Sequence, residues 1–276
     1  MDYIHIKDID WDGLWQKQAG HVIKTSDEAA AFWDRRAHYY EKNVGRNTYV
    51  DELLKRMEIP ASCSVLDVGG GSGLLAVPIA QKARLVTVLD ISNGMLSLLK
   101  NKLEEAKISN ITVINKNWYE TDVNSEIDPH DIVLASRFLP MGDKLEASLE
   151  NMNTVALKRC YVTWRANSFD KVEAESARLL GKEYKRYPEY PIILNCLYKM
   201  GIKAGVEIFK SESEMCFDNL DDALRHFSKN SPMSDITSTD YKDFVRSLLV
   251  EKDGKYYRYS ATEWALISWE ARKRDV

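Results

Sequence analysis

The segment 65–80, VLDVGGGSGLLAVPIA, constrains the fold of this chain most, because it places four glycines in five positions: Gly69, Gly70, Gly71 and Gly73. Glycine costs about 1 kcal/mol relative to alanine inside regular secondary structure, so a chain gathers glycines where it needs bare backbone. An apolar, strand-like run precedes the glycines and a helix-like run follows them. This arrangement predicts the first strand-to-helix turn of a doubly wound sheet, where backbone N–H groups at a helix N-terminus bind a ligand.

The alternation of strand and helix patterns continues along the chain. Short apolar runs predict strands at 64–69, 85–90, 111–116, 131–136 and 159–164, with helices at 72–83, 94–108 and 143–156. Later patterns predict helices at 169–187, at 191–202 and within 219–250, and strands at 205–217 and 254–270. We therefore expect an α/β fold with a doubly wound, mostly parallel, seven-stranded Rossmann-like sheet.

The first 60 residues carry helical patterns only. A cap at Thr25 or Ser26 and an apolar stripe that includes Trp33 and Tyr40 predict a helix at the start of this region. We expect an N-terminal helical cap at 1–60. A Rossmann-like domain is expected at 61–276, with helical inserts at about 165–190 and 218–255.

Composition and charge narrow the function classes. The chain has 276 residues, is 45% hydrophobic and carries a formal net charge of −4. A dedicated nucleic-acid binder is usually basic, so nucleic acid is not the expected partner. The acidic N-terminus and the short apolar runs predict a cytoplasmic protein with no membrane partner. Four scattered cysteines without a CxxC pair predict reduced thiols and no metal site.

Two classes of cofactor compete for the glycine turn. The dinucleotide pattern G-x-G-x-x-G/A fails when it starts at Gly69 and passes when it starts at Gly71, with Ala76 in the sixth position. Asp67 lies inside the first strand, and Asp90 ends the second strand, where a carboxylate binds the ribose hydroxyls of either cofactor.

The segment 67–73, DVGGGSG, resembles the first motif of the class I S-adenosylmethionine (SAM)-dependent methyltransferases, an acid followed by x-G-x-G-x-G. The segment 89–96, LDISNGML, is similar to the second motif of that family. The resemblance implies that SAM is the cofactor and that Asp90 holds its ribose. It also implies that Ile91 and Met95 flank the adenine, and that Asp67, Gly69, Gly71 and Gly73 bind the cofactor.

The resemblance covers about 33–164, and its motifs beyond the first two are looser. They imply that Asn117 and Trp118 lie near the adenine, and that Ala135 and Ser136 lie close to the methionine part of SAM. The helix WDRRAHYYE at 33–41 is similar to an element of the ubiquinone and menaquinone methyltransferases and implies that Tyr40 lies near the SAM carboxylate.

The methyl acceptor is expected to be a small molecule. The segment ASRFLP at 135–140 lacks the Asn/Asp-Pro-Pro-aromatic pattern of base N-methyltransferases, and the net charge is negative. His38 and Arg137 are candidate catalytic residues, and Arg165 is a candidate anion ligand. Aromatic residues outside the core predict an acceptor pocket: Trp11, Trp15, Trp33, Tyr39, Tyr184, Tyr187 and Tyr190.

Three alternatives remain open from the sequence. The chain methylates RNA or protein instead of a small molecule, or it binds SAM without catalysis. A nicotinamide-dependent reductase is the third alternative, because the shifted register of the glycine motif permits a dinucleotide.

Overall fold

The computed structural model describes residues 5–19, 25–44, 47–139, 144–228, 236 and 238–272, without the side chains of residues 38–44. The helices are α1 (Trp11–Ala19), α2 (Ser26–Val44), α3 (Tyr49–Leu54), α4 (Ala76–Ala80), α5 (Asn93–Ala106), α6 (Val123–Glu126), α7 (Leu145–Val155), α8 (Lys171–Leu179), α9 (Tyr190–Lys199), α10 (Leu220–Phe227) and α11 (Thr239–Ser247). The strands are β1 (Ser64–Val68), β2 (Leu85–Asp90), β3 (Ile111–Asn115), β4 (His130–Ser136), β5 (Ala156–Arg165), β6 (Gly205–Phe217), β7 (Val250–Lys252) and β8 (Lys255–Glu270).

All eight strands of the described part form one sheet, in the order β3-β2-β1-β4-β5-β8-β6, with β7 paired to β8. The strands β1 to β5 are parallel, and β8 runs antiparallel to β5, β6 and β7. The sheet is therefore mixed but mostly parallel in its first half, and the predicted α/β Rossmann-like fold is confirmed. In such a sheet the strand order reverses between β1 and β4, and ligands bind at the carboxyl ends there.

The central strands are buried on both faces. All five residues of β1 are buried, as the near-continuous apolar run predicts for a sheet covered by helices. One apolar cluster includes Trp118 and Leu149 on one face, and a second includes Leu53 and Ile79 on the other. These two clusters fix the position of the turns that leave the carboxyl ends of the strands.

The three helices before β1 contact different parts of the fold. Helix α1 packs on α7 and α9, α2 packs on α5 and also contacts β6, and α3 packs on β6. The β6–β8 ladder runs from Gly205 opposite Ser268 to Phe217 opposite Tyr256. A third apolar cluster, with Phe217, Leu224 and Tyr241, covers the far end of this ladder.

Two elements in the C-terminal half differ from the sequence prediction. The two helices α10 and α11 are followed by the short strand β7 (Val250–Lys252), which was not predicted, so the described sheet has eight strands instead of seven. Helix α8 ends at Leu179 because Gly181 has a φ of +64°, a left-handed conformation that ends helices. None of the described helices is both long enough and apolar enough to cross a membrane.

Candidate cofactor and acceptor site

The glycine turn between β1 and α4 lies against the end of β2. The Gly69 amide donates to the Leu89 carbonyl at 2.7 Å, and the Gly71 amide donates to the Asp90 carboxylate at 2.9 Å. Gly71 has a φ of +55°, and a Cβ added there meets only Asp90 Oδ2, at 3.8 Å. The backbone at Gly71 therefore borders an open space beside Asp90, and a side chain at position 71 would fill this space.

Asp90 ends β2 and is held by two backbone amides. Its Oδ2 accepts from Gly71, and its Oδ1 accepts from the Ser92 amide at 2.8 Å. Burial raises the pKa of Asp90 above its ordinary value, and the hydrogen bonds from the Ser92 and Gly71 amides offset only part of this increase. Each carboxylate oxygen accepts more than one hydrogen bond, so the fixed carboxylate retains capacity for the hydroxyls of a ribose.

Asp67 is a buried acid, and one of its two carboxylate oxygens has no hydrogen-bond donor among the described atoms. Its residue is 2% exposed, and its Oδ2 has no hydrogen-bond partner there. Burial and the nearby charge of Asp90 raise the pKa of Asp67 to about 7. A buried polar atom without a partner is costly, and a cationic ligand that supplies a donor relieves that cost. The ammonium group of SAM has this chemistry, so Asp67, Gly71 and Asp90 fit the predicted cofactor.

Helix α2 covers the ends of β2 and β3. Asp34 accepts hydrogen bonds from the Ser92 hydroxyl at 2.6 Å and from the Gly94 amide at 2.8 Å. Asn117, after β3, donates through Nδ2 to the Ser26 hydroxyl at 2.7 Å. The helix is thus attached at two points over the edge where Asp90 lies. Sequence reasoning did not identify Asp34, because only the fold brings this acid to Ser92, the N-cap of α5.

The residues that the sequence predicts to contact the adenine have different environments in the structure. Ile91 is partly exposed after β2, and Met95 is buried at 3% exposure in the first turn of α5. Trp118 is 1% exposed, and its indole Nε1 donates to the Ser148 hydroxyl at 3.0 Å. The Trp118 ring therefore belongs to the core between the sheet and α7. Asn117 is partly exposed beside α2.

Two aromatic rings stack beside the glycine turn. Phe138, after β4, lies parallel to Tyr119 with centroids 5.4 Å apart and an interplanar angle of 10°. A Cβ added at Gly69 would lie 2.2 Å from Phe138 Cδ2, and Gly69 has a φ of +68°. Glycine is therefore needed at this position both for its conformation and for the close approach of the Phe138 ring.

A hydroxyl network joins the ends of β4 and β5. The Tyr49 hydroxyl lies 2.7 Å from Ser136 Oγ and 2.6 Å from Thr163 Oγ1, within hydrogen-bond distance of both. The Arg137 guanidinium lies 4.6 Å from the Tyr49 ring centroid and 5.9 Å from that of Trp264. The structure therefore places Ser136 and Arg137 at one edge with an aromatic wall. Tyr49 lies in an amphipathic pattern that gives no sign of this role, and sequence reasoning missed it.

The remaining predicted residues have different positions. Arg165 pairs with Asp170 at 3.1 Å and lies 4.4 Å from the Tyr187 ring centroid. Trp15 is buried and packs on Trp164, with centroids 5.1 Å apart, so it belongs to the core. His38, Tyr39 and Tyr40 belong to α2, but their side chains lie outside the described residues.

A family model described as Ribosomal RNA adenine dimethylase matches residues 35–148. An uncharacterized protein of Haemophilus influenzae is 30% identical over 245 residues, which are 86% of this chain and 88% of that relative. Ribosomal RNA small subunit methyltransferase A of Staphylococcus epidermidis is 26% identical over 113 residues, which are 39% of this chain and 38% of that relative. The match to the rRNA methyltransferase therefore covers well under half of either chain.

Solved structures share the fold. A Bacillus halodurans protein provisionally described as a methyltransferase superposes with a TM-score of 0.55 and 14% identity, over 81% of this chain and 99% of that chain. The YcgJ protein of Bacillus subtilis gives a TM-score of 0.55 and 13% identity, over 81% and 98% of the two chains. Identities this low establish the common fold only.

The expectation that nucleic acid is not a partner is wrong, because the family model and the named rRNA methyltransferase relatives are RNA-modifying. The net charge of −4 misled because it averages over the whole surface, whereas a nucleic acid contacts local groups. The match to the ubiquinone and menaquinone methyltransferases remains a resemblance of one helix. The chain and the Haemophilus influenzae protein belong to one family, and this chain is a class I SAM-dependent methyltransferase.

Proposed function

We propose that this SAM-dependent methyltransferase transfers a methyl group to a base of RNA. The observation that carries the proposal is the match of the rRNA adenine dimethylase family model to residues 35–148. That range begins in α2 and ends in α7, so it includes the glycine turn, Asp90 and Ser136. The relatives named as rRNA methyltransferases share only this part of the chain, and the choice of RNA as acceptor is therefore a proposal.

The residues at the ends of β1 and β2 bind the cofactor in this proposal. Asp90 accepts from the ribose hydroxyls, Asp67 accepts from the ammonium group, and the open backbone at Gly71 lies against the methionine part. Bound SAM supplies a methyl group activated by its sulfonium charge. Helix α2, tied down by Asp34, excludes water from this edge and forms part of a cap made by residues 1–60.

The residues at the end of β4 form the acceptor side. Phe138 presents an aromatic ring beside the glycine turn, and aromatic rings stack on nucleobases with about 1–3 kcal/mol per base. Arg137 is exposed beside Ser136 and supplies a positive charge for the RNA backbone. These groups give the edge the two properties that RNA recognition needs, a stacking face and a cation.

The chain departs from the usual base-methylating pattern at 135–140, where it has ASRFLP. Ser136 takes the position at the end of β4, and its hydroxyl is within hydrogen-bond distance of the Tyr49 and Thr163 hydroxyls. We propose that Ser136 accepts a hydrogen bond from the N–H of the acceptor base and thereby aims the nitrogen lone pair. Tyr49 and Thr163 hold the Ser136 hydroxyl in place and act as positioning residues.

The test is transfer of tritium from methyl-labelled SAM to purified ribosomal RNA, with total RNA and a protein fraction in parallel. We expect label in RNA, released as a methylated nucleoside after nuclease digestion. The Asp90→Ala variant should transfer none, because it lacks the ribose ligand. Label that appears only in protein or in a small-molecule fraction would contradict the proposal. We place the enzyme in the cytoplasm as part of this proposal, where an RNA acceptor is available.

A further inference from the structure

A cavity of about 370 Å³ lies at the edge of the sheet where β5 begins and β8 ends. Strand β6 begins at Gly205, opposite Ser268, so residues 269 and 270 of β8 extend past the start of β6. The cavity lies beside these two residues and the turn that ends α9. Its lining includes three cationic side chains, one carboxylate, one hydroxyl and one indole: Arg159, Lys203, Arg272, Glu270, Ser268 and Trp269.

This cavity is far from the proposed cofactor and acceptor site. Arg159 is opposite Glu270 in the β5–β8 ladder, and Arg165 is opposite Trp264 six residues further along β5. Six residues of extended strand span about 20 Å. The cavity is therefore at the edge of the sheet opposite the carboxyl ends of the parallel strands, and its lining includes none of the residues proposed to bind SAM.

The acidic side chains at the cavity pair with one of its arginines. Arg159 Nη1 lies 3.2 Å from Glu58 Oε2, and Arg159 Nη2 lies 3.7 Å from Glu270 Oε1. The Glu270 side chain is 86% exposed, so water screens much of its charge. These two carboxylates offset the charge of Arg159, and the charges of Lys203 and Arg272 remain.

Lys203 and Arg272 meet at the turn that ends α9. A Cβ added at Gly201 would lie 2.6 Å from Arg272 Nη2, so this guanidinium lies against the turn, and Lys203 follows two residues later. Among the described residues, neither of the two cationic side chains forms an ion pair or a hydrogen bond. Both are exposed and line the same cavity, so an external anion can reach them.

The indole of Trp269 is a buried donor beside these two cations. Trp269 is 3% exposed and lines the cavity, and its Nε1 has no hydrogen-bond partner among the described atoms. By contrast, the indole Nε1 atoms of Trp118, Trp164 and Trp264 each donate to an oxygen, at 3.0, 2.8 and 2.9 Å. A buried N–H without an acceptor destabilises the fold, and an anion bound in the cavity would supply the acceptor.

We propose that this cavity binds a phosphate group. Lys203 and Arg272 supply the positive charge, and the Trp269 indole and the Ser268 hydroxyl donate hydrogen bonds. A phosphate accepts from donors in several directions, and a guanidinium group binds two of its oxygens through paired N–H donors. The site goes beyond the proposed function, because it holds neither SAM nor the acceptor base. The phosphate belongs either to a small free anion or to the backbone of bound RNA, and the experiment separates these two sources.

The first measurement uses inorganic phosphate as the probe. The indole N–H signals of the full chain are recorded by NMR with phosphate and with sodium chloride at equal ionic strength, and Trp269→Phe identifies the Trp269 signal. Phosphate should move this signal downfield, because the Trp269 N–H gains an acceptor. The phosphate affinity obtained from this shift should fall roughly tenfold in Lys203→Gln and in Arg272→Gln, since each variant loses a charge-assisted hydrogen bond.

Two further variants separate the site from a general effect of charge. Lys210→Gln is the matched control, because Lys210 is an exposed lysine of β6 that does not line the cavity. It should bind phosphate like the wild type. Glu270→Gln removes the carboxylate that lines the cavity and should bind phosphate more tightly than the wild type.

Fluorescence anisotropy of a labelled single-stranded RNA then identifies the source of the phosphate. If the RNA backbone supplies it, Lys203→Gln and Arg272→Gln should each lower the slope of log K against log salt by about 0.7. Phosphate binding with equal RNA affinity in these variants and the wild type would assign the site to a free anion. A Trp269 signal that phosphate does not move, with RNA affinity unchanged in both variants, would overturn the site. That result would leave methylation of RNA unaffected, so failure of this site is distinguishable from failure of the proposed function.

Discussion

Asp34 and Ser92 join the N-terminal helix α2 to the start of α5, with the Asp34 carboxylate 2.6 Å from the Ser92 hydroxyl. Ser92 is fully buried, and its amide donates to Asp90, the proposed ribose ligand. The same Asp34 oxygen accepts from the Gly94 amide at the N-terminus of α5. This contact attaches α2 to the edge of the sheet where the proposed cofactor site lies, although α2 precedes the sheet in the sequence by about twenty residues.

Replacement of Asp34 by Ala should loosen α2 and weaken SAM binding. The change removes charge-assisted hydrogen bonds, and we expect the SAM dissociation constant to rise roughly tenfold, about 1.4 kcal/mol. Hydrogen exchange in residues 26–37 should slow when SAM binds to the wild type, more than in α7, and this protection should shrink in the variant. Asp27→Ala, an exposed acid in the first turn of α2, is the control. SAM binding that leaves exchange in 26–37 unchanged would disprove the role of α2 as a cover.

Asp67 should link cofactor binding and stability to pH. Its pKa of about 7 in the folded chain lies above the value of 3.8 for an unperturbed carboxyl group, so the folded state holds the proton more tightly. The free energy of unfolding therefore falls as the pH rises from about 4 to about 7. SAM needs the ionised form to bind its ammonium group, so SAM affinity should fall below pH 7.

The Asp67→Asn variant separates these two effects. It removes the buried charge, so the melting temperature without SAM should rise by several degrees at pH 8 and stay unchanged near pH 4. For a chain of this size, each kcal/mol of added stability raises the melting temperature by about 2–4 °C. The same variant should lose SAM binding. A lower melting temperature at pH 8 would mean that Asp67 is neutral or already partnered in the fold.

Replacement of Gly71 by Val should block the cofactor. The added side chain fills the space beside Asp90 and opposes the φ of +55°. S-adenosylhomocysteine should raise the melting temperature of the wild type and leave that of the variant unchanged, and NAD should affect neither protein. Gly181→Val is the matched control, because Gly181 has a φ of +64° with no atom within 4 Å of an added Cβ. Stabilisation by NAD would instead favour the dinucleotide register of the glycine motif.

Phe138 is predicted to stack on the acceptor base. Phe138→Ala should lower kcat/KM for RNA by roughly 10- to 100-fold, the loss expected from one base–aromatic stack. The control is Phe169→Ala, which removes a ring of the same size that packs on Tyr184 away from the glycine turn. Unchanged kcat/KM for RNA in Phe138→Ala would show that this ring only packs against Tyr119.

The sequence predicts the parts of the fold that depend on local patterns. The bounds of β2 and β6 agree residue for residue with the prediction. An apolar run marks β2 and an alternating run marks β6, and each pattern can be recognised within a single short stretch of sequence. Strand β7 could not be predicted in this way. Its three residues are exposed, and they become a strand only by pairing with β8 across the Asp253–Gly254 turn.

The candidate site was predictable where one motif contains the functional group. Asp67, Gly71 and Asp90 lie in such motifs. Tyr49 and Ser136 are 87 positions apart, and Asp34 and Ser92 are 58 apart, so only the folded sheet brings them together. At Trp118 the motif alone was not sufficient, because a tryptophan after a strand suits an adenine contact and a core position equally well. The hydrogen bond to Ser148 that assigns it to the core is visible only in the structure.

The central claim is that this chain methylates RNA through the site at Asp90 and Ser136. The most direct measurement is mass spectrometry of the nucleosides in ribosomal RNA from cells with and without the gene. We predict that one methylated nucleoside disappears in the deletion strain, returns with the wild-type chain and does not return with Asp90→Ala. An identical set of methylated nucleosides in all four RNA samples would contradict the claim.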